Sequence, residues 1–130
     1  MIAVLTRTNA DLRYRAVERV VGTDELDAAL RSAIEEVGPG AGPPFAIFHG
    51  AVNEETRSRL EVGVPDPAGD RTFPGGLVAT ASGRPDADYD AIHVVYDAIA
   101  DFIRASGHSQ RAATREVYHE DRIEIIWPIQ

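Results

Sequence analysis

The sequence predicts an α+β domain: an antiparallel sheet with two helices on one face, made from a duplicated βαββ unit. Three observations predict it. Strand-like and helix-like periodicities run as strand, helix, strand, strand, and then run so again. The heptads Arg59–Pro65 (RLEVGVP) and Arg122–Pro128 (RIEIIWP) agree at arginine, glutamate and proline and exchange one apolar residue for another between them. Upstream of each, Ala46-Ile47-Phe48-His49 matches Glu116-Val117-Tyr118-His119, and before that a helical pattern closes on a glycine, Gly38 or Gly107. Matched blocks in one order read as internal repeats over about 10–65 and 77–128, within a single domain spanning 1–130. The connecting lengths differ, so the repeat is degenerate. Ala46 stands where Glu116 stands in the other copy, which makes that glutamate an addition to one copy.

Asn9 to Val21 reads as a long first strand. Leu12, Tyr14, Ala16, Glu18 and Val20 share one parity, while Val17 and Val21 share the other with three arginines. Thr23-Asp24-Glu25 supplies a cap and an acidic first turn. Leu26, Leu30, Ala33, Ile34 and Val37 follow at helical spacing, and Gly38 ends the helix. After a Pro/Gly loop, Phe45 to His49 reads as a strand, Val52 to Ser58 as a polar loop, and Leu60 to Val64 as a strand closed by Pro65. Asp66 to Gly76 is turn-rich. Leu77 to Ala81 is a short strand, and Asp86 or Asp88 caps a helix from about Tyr89 to Ser106. Its apolar stripe is Ile92, Val95, Ile99, Phe102 and Ile103, and Gly107 stops it. Thr114 to Pro128 closes the chain as a hairpin turning at Glu120-Asp121.

The length suits one domain with a real core. No run is long and apolar enough to span a bilayer, and the N-terminus lacks the cationic leader and long apolar run of a signal peptide. The expected location is therefore cytoplasmic, and no membrane contact is expected. The absence of cysteine excludes disulfides and thiol chemistry. A net charge of −8 argues against direct nucleic-acid binding, which needs a cationic face. It favours cationic ligands or a basic protein partner. His49, His93, His108 and His119 show no metal-ligand spacing. The Pro74-Gly75-Gly76 turn lacks the lysine and helix context of a phosphate loop. No cofactor is expected, and no Ser-His-Asp or Cys-His arrangement can be drawn.

Taken together, GPPFAIFHG, RLEVGVP, FPGG, an aromatic-rich helix, REVY and EIIWP resemble the GyrI-like ligand-binding domain. That family is also called the bacterial transcription-activator effector-binding domain and is related to the SOUL haem-binding proteins. The resemblance runs from about Leu12 onward. It implies a pseudo-twofold pair of βαββ units whose sheet surfaces form a central cleft for small cationic or lipophilic molecules. It places Glu116, the glutamate of the REVY-type motif, in that cleft. Members occur fused to DNA-binding domains or alone. Some inhibit DNA gyrase, and some hydrolyse strained cyclopropane natural products. This chain departs from the pattern in carrying Ala81 where members often have a histidine, Tyr89 four residues late, and Phe102 in place of a tryptophan.

The candidate residues each carry two readings. Period-two alternation puts Glu116 on the face of Tyr118. It is either a strand residue in water, paired with Arg115 or Arg122, or a pocket carboxylate that offsets a ligand cation. Tyr118 and its repeat mate Phe48 are either core aromatics or two walls of a ligand site, and Phe45 is one step removed. Glu61 and Glu124 alternate with apolar triplets; they line the ligand side or pair with Arg59 and Arg122. Trp127 falls with the core. Tyr89, His93 and Tyr96 share one edge of the second helix, so Tyr89 and Tyr96 are candidates for a pocket wall. The expected function is a standalone small-molecule-binding protein whose ligand contacts are Glu116, Tyr118, Phe48, Phe45, Tyr89, Tyr96 and Glu61. Two alternatives are a hydrolase in which Glu116 activates water and Tyr118 holds the electrophile, and a gyrase-inhibitor-like interaction protein.

Overall fold

The computed structural model describes residues 2–50 and 57–130. Along the chain these form β1 (Leu5–Asn9), β2 (Leu12–Val21), a 3-10 turn (Thr23–Glu25), α1 (Leu26–Val37), β3 (Phe45–Phe48), β4 (Ser58–Pro65), β5 (Arg71–Phe73), β6 (Gly76–Gly83), α2 (Tyr89–Ser106), β7 (Thr114–Tyr118) and β8 (Ile123–Pro128). The fold is α+β with antiparallel strand pairing. It divides into two compact units, Leu12–Phe73 and Met1–Asp11 with Pro74–Gln130.

In the Leu12–Phe73 unit the strand order is β3-β4-β2-β5. Alternation along β2 sends Arg15 and Val17 to the α1 face. The Arg15 guanidinium donates to Val37 O at 3.0 Å and to Pro39 O, so it caps carbonyls that the end of α1 leaves unpaired. Gly38, at φ +71°, lets the chain leave the helix there. Leu60, Val62 and Val64 are fully buried on this face, each worth about 1.5–3 kcal/mol of transfer free energy. Tyr14, Phe45, Glu61 and Gly63 point to the other face. Gly63 has no room for a side chain: a Cβ would lie 2.8 Å from Arg15 O and 3.0 and 3.1 Å from the Tyr14 and Phe45 rings. Those rings meet edge to face at 5.2 Å.

In the other unit the strand order is β1-β6-β8-β7. The apolar stripe of α2 lies on one sheet face, where Val95, Ile99 and Ile103 close over Ala79, Ala81, Ile125 and Ile129. Of the two expected caps, Asp86 and Asp88, it is Asp88 that caps the helix by accepting from Ala91 N at 2.8 Å, and Gly107 ends it at φ +77°. The chain end is tied to β6 by Ile129 N donating to Leu77 O at 3.0 Å. Arg111 adds bonds to Ile129 O and Leu77 O.

Three expectations need correction. The first strand does not run unbroken from Asn9: β1 ends there and β2 begins at Leu12. The turn-rich segment after Asp66 contains a short strand, β5. Both are edge strands, and edge strands bury too little to show alternation; β1 is exposed at four of its five residues. Thr23 does not cap α1. Thr23–Glu25 winds into the 3-10 turn instead, and Glu25 takes the cap position without a side-chain bond. Of the polar loop expected over Val52 to Ser58, residues 52–56 lie outside the described residues, and Ser58 already belongs to β4. No helix among the described residues is long and apolar enough to cross a membrane.

Candidate functional site

β7 presents Glu116 to the α2 face of its sheet, because its register partner Ile125 and the next partner, Ala81, belong to the core under α2. Its carboxylate is buried, with 8% of the residue exposed. Tyr96, reaching down from α2, donates to Oε2 at 2.6 Å, and Tyr118, two residues along the strand, donates to Oε1 at 3.0 Å. The parity argument thus places Tyr118 correctly beside Glu116. Neither Arg115 nor Arg122 pairs with it: Arg122 bonds Asp121, and among the described residues Glu116 makes no ion pair. Burial pushes the Glu116 carboxyl above its ordinary value; the two hydroxyls and the His93 charge pull partly back. Burial and the adjacent carboxylate push the Tyr96 hydroxyl well above its ordinary value.

An aromatic strip adjoins this carboxylate. Along α2, Tyr89 and His93 are 4.4 Å apart between ring centroids, and His93 and Tyr96 are 6.4 Å apart. Tyr96 then meets Trp127 of β8 at 6.2 Å. Trp127 lies on the α2 face, as its parity predicts, but its indole Nε1 is buried with no hydrogen-bond partner among the described residues. Tyr89 is the exposed end of the strip.

Glu61 and Glu124 sit differently. Both lie on the sheet face turned away from their own unit's helix, and at equivalent registers: Glu61 opposite Ile47 and Glu18, Glu124 opposite Val117 and Ser82. Glu61 accepts from His49 Nε2 at 2.7 Å, Tyr14 Oη at 2.8 Å and Arg71 at 2.9 Å. Glu124 accepts from His119 Nε2 at 3.0 Å, Thr80 Oγ1 at 2.9 Å and Arg7 at 2.9 Å. Arg71 and Arg7 come from the two edge strands. Burial alone would raise both carboxyls, but the hydrogen bonds and arginine charges outweigh it and hold them below their ordinary values. The pairing expected with Arg59 and Arg122 is therefore not made; Arg59 bonds Glu18 instead.

Tyr14, Arg71, Thr80 and Arg7 were not among the sequence candidates. Half of this pattern was available, since the matched AIFH and EVYH blocks already set His49 against His119. The arginines were hidden in the two unforeseen edge strands. Of the other candidates, Phe45 is fully buried against Tyr14 on the face of Glu61, whereas Phe48 is half-buried on the α1 face opposite Leu60. A cavity of about 450 Å³ in the Glu116 unit lies beside the first turns of α2, lined by residues including Ile2, Gly83, Ala87, Ala91 and Val95. It does not include Glu116, whose surroundings are filled by the two tyrosines. No cluster of three or more metal-ligating side chains occurs among the described residues.

The sequence matches no family model and no curated protein. Solved structures do match. The crystal structure of the EcmrR C-terminal domain superposes with a TM-score of 0.72 at 13% identity, over 100% of this chain and 98% of that one. This chain has the fold of the EcmrR C-terminal domain. The cryo-EM structure of an EcmrR–DNA complex matches with the same TM-score and identity, over 99% of this chain and 57% of the longer one. At this identity the likeness concerns the fold.

Proposed function

We propose that this chain is a GyrI-like small-molecule-binding domain that holds a lipophilic, cationic or planar ligand against Glu116. The observation that carries the reading is a contrast among three buried glutamates. Glu61 and Glu124 each have an arginine and a histidine, and their charge is balanced within the protein. Glu116 has two neutral hydroxyls and no ion pair among the described residues. A buried carboxylate without an ion pair is costly, and it becomes favourable when a ligand supplies the paired charge. The Tyr89–His93–Tyr96 strip and Trp127 offer ring faces to a flat or cationic body, worth about 0.5–2 kcal/mol for each cation–π contact. Tyr96 and Tyr118 occupy the space before the carboxylate, so a ligand reaches it by turning a hydroxyl aside.

The test is a calorimetric titration of 1-methylquinolinium and of its uncharged isostere 1-methylnaphthalene into the protein and into Glu116→Gln. The expected result is a loss of at least tenfold for the cation and less than twofold for the hydrocarbon. Equal losses for both overturn the charge role.

A further inference from the structure

We propose that Trp127 Nε1 is a second polar contact of the Glu116 site, and that the ligand therefore pairs its cationic body with a hydrogen-bond acceptor. The inference rests on the reading of Glu116 given above. Trp127 stands on β8 with the parity of Ile125, the register partner of Glu116, and its ring meets the ring of Tyr96, which itself bonds Glu116. The ring beside Tyr96 carries an indole N–H that burial has stripped of solvent and that no described residue accepts. Indole is a donor only. A buried donor left unpaired is unfavourable, so a molecule that brings an acceptor to it gains more than one that brings a methylene.

The two polar groups ask opposite things of a ligand. Glu116 takes a cation or a donor. Trp127 takes a carbonyl, ether or ring-nitrogen lone pair. A plain aromatic cation satisfies the first and leaves the second unsatisfied. Sites that hydrogen-bond a substrate group discriminate strongly against analogues lacking it, because the buried partner is then orphaned. Trp127 is therefore the residue that sets selectivity among cations, while Glu116 sets selectivity for cations.

Trp127 is the only tryptophan in the chain, so its indole N–H gives a single side-chain signal in a ¹H–¹⁵N spectrum. The probes are 1-methylquinolinium ions carrying either an acetyl or an ethyl group at ring position 3, 6 or 7, matched in charge and near-matched in shape. At one or more positions the acetyl compound should bind about 5–10-fold more tightly than its ethyl partner and move the indole N–H downfield. In Trp127→Phe that preference should fall below twofold, whatever change in affinity the acetyl and ethyl partners share. Equal binding of acetyl and ethyl partners at all three positions overturns the inference, as does a preference that persists in Trp127→Phe. The indole shift in the unmutated protein decides the matter should Trp127→Phe fail to fold. Glu116→Gln separates the two readings. Loss of all the cations in that variant with no acetyl preference in the parent leaves the Glu116 site standing and removes only the role of Trp127. Binding indifferent to Glu116→Gln, or no binding at all, removes both.

Discussion

Replacing Glu116 with glutamine should stabilise the protein increasingly as pH rises. Glutamine keeps the shape of the side chain. Its carbonyl can accept one of the two tyrosine bonds, and its amide can donate to the other tyrosine, which reverses. In acid, where the wild-type carboxyl is neutral in both the folded and unfolded states, the two proteins should differ by no more than about 1 kcal/mol, the scale of one neutral hydrogen bond. Above the ordinary carboxylate range the situation changes. The unfolded chain releases the Glu116 proton first, because burial raises the folded value. The native state then binds more protons than the unfolded state, so wild-type stability from this group is complete below the unfolded value and falls as pH rises toward the folded one. The slope is about 1.4 kcal/mol per pH unit while that window lasts. Glutamine does not titrate and has no such loss. Glu61 and Glu124 titrate in both proteins and cancel in the difference. Urea unfolding followed by Trp127 fluorescence, at half-unit steps from pH 4 to 8, gives the difference directly. A difference that stays flat with pH, or that swings toward the wild type as pH rises, refutes the assignment of Glu116 as a buried carboxyl without an ion pair.

The paired glutamates should show the opposite sign. Glu61→Gln and Glu124→Gln should each cost about 1–3 kcal/mol at neutral pH, since each weakens three hydrogen bonds to a buried carboxylate while Arg71 and the exposed Arg7 can turn to water. That cost should shrink as pH falls through the lowered folded-state values, and urea midpoints at pH 7 and pH 3 check it. Tyr14→Phe removes one charge-assisted bond to Glu61 and should cost about 1.5–3 kcal/mol in the same assay, with little change in affinity for quinolinium probes. Gly63→Ala drives a methyl into Arg15 O and two rings and should cost about 1–3 kcal/mol, read as a lowered melting temperature. Incubation with a strained cyclopropane alkylator, followed by mass spectrometry, should give no multiple turnover; turnover that vanishes in Glu116→Gln would replace the binder reading with the hydrolase.

The sequence by itself determined what is local along the chain. Helix ends other than the start of α1 were legible because Gly38 and Gly107 adopt left-handed φ values and Asp88 caps within three residues, all local effects. Central strands were legible because they bury one or both faces and so carry alternation or apolar runs. The neighbourhood of Glu116 and Tyr118 followed from period two alone. Tertiary structure decided what depends on register between segments far apart. The edge strands β1 and β5 bury little and left no pattern, yet they deliver Arg7 and Arg71 to the two repeat-matched glutamates across separations the sequence does not encode locally. That delivery reverses the expected standing of the carboxylates. Glu61 and Glu124 are balanced inside the protein, Glu116 is not, and the orphaned donor beside it belongs to Trp127, whose parity marked it as core. Burial and pairing set the energy of a charged group, and both are properties of the assembled sheet rather than of any short stretch of chain.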